Sequence, residues 1–147
     1  VTSLKISTRK FGEVDIDESK ILVMPEGLPG FPGFEKFVLL EDQKTAPFAW
    51  FQSIEEPGLA LIVMNPFLFK PDYELNLDGF IKSRNWKGIS SEELVIYVVV
   101  NISEKQKGKR ITANLIGPLI INPKNNEVIQ VAVSDTDYSH QHIIVDP

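Results

Sequence analysis

His140-Gln141-His142 is the first place in this chain to look for chemistry. Residues i and i+2 of a strand project from one face, so two imidazoles there could bind a divalent metal, with Asp135, Asp137 or Asp146 as oxygen ligands. They are the only two histidines. The carboxylates sit in adjoining loop positions, with no strand or helix phase tying them to the imidazoles. An exposed edge strand that happens to carry two histidines is the simpler reading, and a small β-barrel holding a small ligand or a metal through His140 and His142 stays as the alternative. Nucleophilic catalysis has less support. Cysteine is absent, no Gly-x-Ser-x-Gly occurs, and neither histidine has a recognisable Ser and Asp partner pattern. The carboxylate pairs Glu41-Asp42, Glu55-Glu56 and Glu92-Glu93 are adjacent in sequence, so on a strand they face opposite sides and in a loop they face water. Acid–base work needs two carboxyls converging on one cleft with separated pKa values. Catalysis is unsupported, and no cofactor is implied.

Polar residues inside apolar stretches are the remaining candidates: Gln52, Asn101, Asn114, Asn122 and Gln130. Each needs hydrogen-bond partners if buried, and backbone groups at bulges and strand ends are the ordinary source. Composition narrows the field further. The net charge of −5 argues against phosphate-backbone binding, which requires clustered Lys and Arg. Residues 21–60 hold six acids (Glu26, Glu35, Glu41, Asp42, Glu55, Glu56) and two lysines (Lys36, Lys44). Such a face is either simply solvated or a docking surface for a basic protein, where charge sets association rate and specificity. No apolar run approaches the ~20 residues that span a bilayer. The N-terminus lacks signal-peptide order, and the missing cysteines suit a reducing compartment.

The elements that must position these residues are strands. At 147 residues a single domain is expected. Ser3-Leu4-Lys5-Ile6-Ser7 and Glu13-Val14-Asp15-Ile16-Asp17 alternate around Phe11-Gly12, which predicts an antiparallel hairpin with one wet face. Ile21-Leu22-Val23-Met24 follows as a short strand. The next ten residues, 25–34, hold three prolines and three glycines, yet Leu28, Phe31 and Phe34 predict a packed segment rather than a linker. Further strands are read at residues 37–40, 47–53, 59–64, 73–77, 94–102, 110–116, 119–122, 128–133 and 140–145. A type II turn is expected at Glu56-Pro57-Gly58-Leu59, with Gly58 at positive φ. A short helix is expected after Asp78, with capping potential also at Ser90-Ser91-Glu92-Glu93. Gly117-Pro118 predicts a bulge or bend. About ten short strands at this spacing predict a mainly β, single-domain, small antiparallel β-barrel-like fold with one or two short helical segments.

Asn65-Pro66-Phe67-Leu68-Phe69-Lys70-Pro71-Asp72-Tyr73 is the least ordinary stretch. Prolines exclude a strand interior, and a mobile polar loop would not carry so many apolar side chains. It is read as a stiff segment whose aromatics are tucked beneath it or face a partner.

Four blocks in register resemble the FliW family of flagellar assembly factors. They are Glu26-Gly27-Leu28-Pro29-Gly30-Phe31, Pro47-Phe48-Ala49-Trp50-Phe51-Gln52-Ser53, the stretch from Asn65 to Tyr73, and Thr112-Ala113-Asn114-Leu115-Ile116-Gly117-Pro118-Leu119-Ile120-Ile121-Asn122. Phe51 stands where the family commonly has Leu, and Gly117 where Ala is usual. After Tyr138 this chain has His140-Gln141-His142 in place of the family's Arg-His-Pro. The resemblance implies a cytoplasmic, non-enzymatic protein with a small β-barrel-like fold. It also implies binding to flagellin near its C-terminal, helix-forming segment, and to the carbon storage regulator CsrA, which represses flagellin translation by binding its messenger RNA. Exchange of the two partners would couple unsecreted flagellin to that repression. On this reading Phe31, Phe34, Phe67 and Phe69 are candidates to line an apolar groove, Glu55 and Glu56 to face CsrA, and Lys70 and Asp72 to touch a partner.

Overall fold

The computed structural model describes residues 2–134 and 136–147. The two alternating runs near the N-terminus pair as an antiparallel hairpin, β1 (Ser3–Thr8) with β2 (Gly12–Asp17). Its apolar alternates Ile6 and Ile16 bury against Val38, so the hairpin lies on the outer surface of the main sheet and leaves its polar face to water.

Seven strands of the main sheet close on themselves. Around the ring run β3 (Leu22–Val23), β4 (Lys36–Glu41), β5 (Ala49–Ser53), β6 (Ala60–Met64), β7 (Val95–Lys105), β9 (Leu119–Asn122) and β10 (Glu127–Gln130), which returns to β3. Neighbours are antiparallel except at the last join, where β10 meets β3 in parallel through a single bridge, Glu127 to Val23. β8 (Gly108–Ala113) and β11 (His142–Val145) extend the sheet from β7 beyond the ring. The expected mainly β, barrel-like fold is therefore present as a ring within a nine-stranded mixed sheet, not formally a barrel. The short helix α1 (Asp78–Ser83) follows Leu77 and starts at Asp78 itself, without a side-chain cap on its first turn.

Strand alternation divides the side chains. Phe37, Ala49, Phe51, Val63, Leu119, Ile121 and Val128 fill the ring. Phe37 and Phe51 stack with centroids 4.5 Å apart and planes 11° from parallel, an arrangement worth about 0.5–1.5 kcal/mol beyond area burial. A leucine at residue 51 would lose this stack. The Pro/Gly segment 25–34 packs as expected, sending Leu28 and Phe34 against the inner cluster at the end of the ring where β4 begins. Outward-facing residues form three more clusters: one under the hairpin, one where Leu77 and Trp86 cover Ile120 and Ile129, and one under residues 65–75.

Several local expectations give way. Residues 73–77 do not pair as a strand; Tyr73, Leu75 and Leu77 instead point into the outer clusters as the chain crosses the sheet. The last strand begins at His142 rather than His140. The turn at residues 56–59 closes with Leu59 N donating to Glu56 O at 3.0 Å, but Gly58 is not at positive φ. Its lack of a side chain serves close approach, since a Cβ there would lie 2.6 Å from Arg9 Nη2.

The bend at Gly117-Pro118 is larger than a simple bulge. β8 and β9 both pair with the same edge of β7, and between the pairs Val100–Ala113 and Tyr97–Leu119 residues 114–118 lie opposite residues 98–99 alone. The surplus backbone loses its ladder partners, and other elements supply new ones. Asn114 N still donates to Val99 O of β7 at 2.9 Å, but Leu115 N turns to Ser139 O at 3.0 Å and Ile116 N to Asn114 Oδ1 within the bend at 3.1 Å. The carbonyls are met in turn: Tyr73 Oη donates to Leu115 O at 2.5 Å, Val133 N to Ile116 O at 2.8 Å, Gln130 Nε2 to Gly117 O at 2.9 Å, and Val131 N to Pro118 O at 3.0 Å. A Cβ on Gly117 would meet Asn114 Nδ2 at 2.8 Å, so the glycine makes room for the amides that serve the bend. Gln52, Asn114, Asn122 and Gln130 all bond backbone in this manner, at bends and strand ends, while Asn101 is exposed.

Tyr73→Phe leaves Leu115 O without its donor in a buried site. The expected loss is about 1–3 kcal/mol of unfolding free energy, read by denaturant titration, with no change in overall secondary structure.

Candidate partner-binding surface

Residues 65–73 are built to be stiff. Asn65 Oδ1 accepts from Phe67 N at 2.9 Å, and Pro66, fully buried, opens a single turn of 3-10 helix, Pro66–Leu68, where its missing N–H is no loss. Lys70 N then donates to Pro66 O at 2.9 Å and Tyr73 N to Lys70 O at 3.0 Å. Below, Tyr73 is buried with its ring 4.9 Å from that of Tyr138, and Tyr138 Oη accepts from Glu74 N at 2.8 Å. Burial first, and then the neighbouring Tyr138, push the Tyr73 hydroxyl far above its ordinary pKa. It therefore remains a protonated donor to Leu115 O at any physiological pH.

This footing leaves an apolar crest. Phe67 is 41% exposed and Leu68 61% exposed. Phe69, by contrast, turns down into the outer cluster and lies 5.6 Å from the His142 ring. Lys70 Nζ sits 3.4 Å from Asp72 and 5.6 Å from the centroid of Tyr138, so the loop's charges brace its flank. Leu68 is absent from the sequence candidates, which among the apolar residues of this stretch take only the aromatics as partner-facing; the turn geometry lifts it clear beside Phe67.

The other sequence candidates are spread more widely. Phe31 is 42% exposed on the segment that packs into one end of the ring, while Phe34 is partly buried against the inner cluster. Among the described residues, aromatic pairs join Phe67 to Tyr73 and Phe69 to His142, and none includes Phe31 or Phe34. Glu55 serves the local backbone. Its Oε1 accepts from Glu35 N at 3.1 Å and Lys36 N at 3.0 Å, tying the start of β4 to the end of β5. Glu56 Oε1 accepts from Gly58 N at 3.2 Å. His140 lies in a turn and His142 on β11, so they do not share a strand face. Among the described residues no group of three or more His, Cys, Asp or Glu could hold a metal ion; Asp135 lies outside them. Ile143 and Val145 are exposed on β11, whose register against β8 shifts between them.

Ring and crest together define a class, a small β module whose closed framework carries exposed apolar side chains on loops. A family model described as FliW protein matches residues 5–144. The flagellar assembly factor FliW of Treponema denticola is 39% identical over 142 residues, covering 97% of this chain and 94% of that protein. The one from Alkaliphilus metalliredigens is 34% identical, covering 96% and 86% respectively. A crystal structure of the flagellar assembly factor FliW superposes with a TM-score of 0.86 at 29% identity, over 98% of this chain and 99% of that one. The chain belongs to the FliW family, a family of flagellar assembly factors rather than enzymes.

Glu55→Ala removes the acceptor for two backbone amides and is expected to lower the melting temperature by several degrees. The double substitution Phe67→Ala and Leu68→Ala, at exposed positions, is expected to leave unfolding free energy within about 0.5 kcal/mol of the parent. Calorimetry on both proteins makes the comparison.

Proposed function

We propose that this chain acts in the cytoplasm as a flagellar assembly factor that binds flagellin, through its C-terminal helix-forming segment, and the translational regulator CsrA. Exchange between the two partners relieves or restores repression of flagellin translation. The observation that carries the reading is membership of the FliW family over residues 5–144.

Two features of the chain support it. An amphipathic helix docks by laying apolar anchors against an apolar surface. Phe67 and Leu68 offer such a surface on a base held by Tyr73 and Pro66. Because the crest is already ordered, binding spends little on immobilising it. Lys70 and Asp72 flank the crest, Phe69 supports it from below, and Phe31 and Phe34 belong to a separate patch available to the same or the other partner. CsrA, an RNA-binding protein, presents basic residues, and the acidic stretch 21–60 with Glu55 and Glu56 is complementary to them; the charge acts mainly on encounter rate and specificity.

Titration calorimetry with purified flagellin and with CsrA tests the reading. The parent protein is expected to bind each. Phe67→Ala with Leu68→Ala is expected to weaken flagellin by at least about tenfold, the loss typical of an interface anchor. Glu56→Lys is expected to weaken CsrA more at low salt than at high. Failure of the parent protein to bind either partner would overturn the reading.

A further inference from the structure

A groove of about 400 Å³ lies between the turn that joins β1 to β2 and the turn at residues 56–59. Its floor is the outer face of β5 and β6, with Trp50, Ala60 and Ile62, and its rim carries Arg9 and Lys10. Two adjacent cations at an apolar groove are unusual in a chain of net charge −5. Neither forms an ion pair among the described residues.

Both cations lie against the groove. Arg9 N donates to Pro57 O at 3.0 Å, and its guanidinium occupies the space a side chain on Gly58 would need, with Nη2 only 2.6 Å from the Cβ position. Lys10 Nζ stands 5.7 Å from the centre of the Trp50 ring. The nearby carboxylate of Glu56 is turned onto Gly58 N at 3.2 Å. One further observation is independent of charge. Gln52, fully buried in the groove wall, donates from Nε2 to Ser53 O at 3.0 Å and to Pro57 O and Leu59 O at 3.2 Å. Its Oε1 has no donor among the described residues and is enclosed by the fold, so this amide fixes the groove wall without reaching a ligand.

We propose that this groove is a recognition site for a carboxylate-bearing apolar segment of a protein partner, an inference that rests on reading the chain as a partner-binding protein. The apolar side chain lies on Trp50 and Ile62, and the carboxylate meets Arg9 and Lys10. A polyphosphate or nucleic acid lacks the apolar surface for the floor and is repelled by the rest of the molecule.

N-acetylphenylalanine carries the carboxylate and the apolar ring together, and its neutral amide differs only in charge. Each is titrated into the protein while the indole N–H resonances are followed by NMR. Trp50 reports the groove, and Trp86, whose Nε1 donates to Glu127 at 2.7 Å, serves as the internal reference. The acid is expected to move Trp50 saturably, leave Trp86 unmoved, and bind about tenfold tighter than the amide, the ratio a charge-assisted pair supplies. Arg9→Gln is expected to remove that ratio, as is Gly58→Ala, which displaces the guanidinium without altering any charge. Equal affinity for acid and amide would overturn the proposal, as would an unmoved Trp50 or a shift produced equally by inorganic phosphate. Loss of flagellin and CsrA binding with these results intact would retire the partner reading and leave the groove as a ligand site. Intact partner binding with these results absent would retire only the groove.

Discussion

The surplus of backbone at residues 114–118 is the constraint from which the rest of the architecture follows. One edge of β7 serves two successive strands, and the five residues between them have only Val98 and Val99 opposite. Without the bend, β8 and β9 would continue as one strand and the sheet would stay open. With it, β9 turns away to pair with β10, and the ring closes. A buried carbonyl or amide left unmet costs about 1–3 kcal/mol, so a bend of this length is tenable only if the groups it frees are paired elsewhere. They are met by Tyr73 from the crossing loop, by Gln130, Val131 and Val133 from β10 and beyond, and by Ser139 near the C-terminal end. Segments far apart in sequence are thereby tied to one point, which explains why the loop beneath Phe67 and Leu68 is part of the framework rather than an appendage.

Ring closure also bears on recognition. Closing a sheet reduces the strand edges that otherwise invite non-specific pairing, and each ring strand has neighbours on both sides over at least part of its length. On the proposed reading, partner recognition falls to side chains at the apolar crest of residues 67–68 and at the cation-rimmed groove beside Trp50. The two offer different chemistry. The crest is exposed, apolar and flanked by a paired lysine and aspartate, whereas the groove combines an aromatic floor with a rim of positive charge.

Much of this could be read from the sequence because it is local. Period-two alternation marked the hairpin, short apolar runs marked the ring strands, the prolines around Phe67 marked a stiff connector, and Gly117-Pro118 marked the bend. Four blocks of sequence carried the family. What escaped depends on contacts distant in the chain. Gly58 resembled a residue chosen for positive φ, and only the position of Arg9 shows that it is chosen for absent bulk. Glu55 read only as part of an acidic surface, and its two backbone amide partners become visible only in the structure. The parallel join of β3 to β10 rests on one bridge and leaves no periodic trace. Tyr73 and Leu75 looked like strand residues because burial against an outer cluster produces the same alternation.

The central claim is that a rigid ring presents an already ordered crest to flagellin. Hydrogen exchange measured with and without flagellin's C-terminal segment tests it most directly. The account predicts that the Leu115, Val131 and Val133 amides are protected in the free protein and unchanged on binding, while added protection falls on residues 67–73. Rapid exchange at the bend in the free protein, or added protection that bypasses residues 67–73, would contradict it.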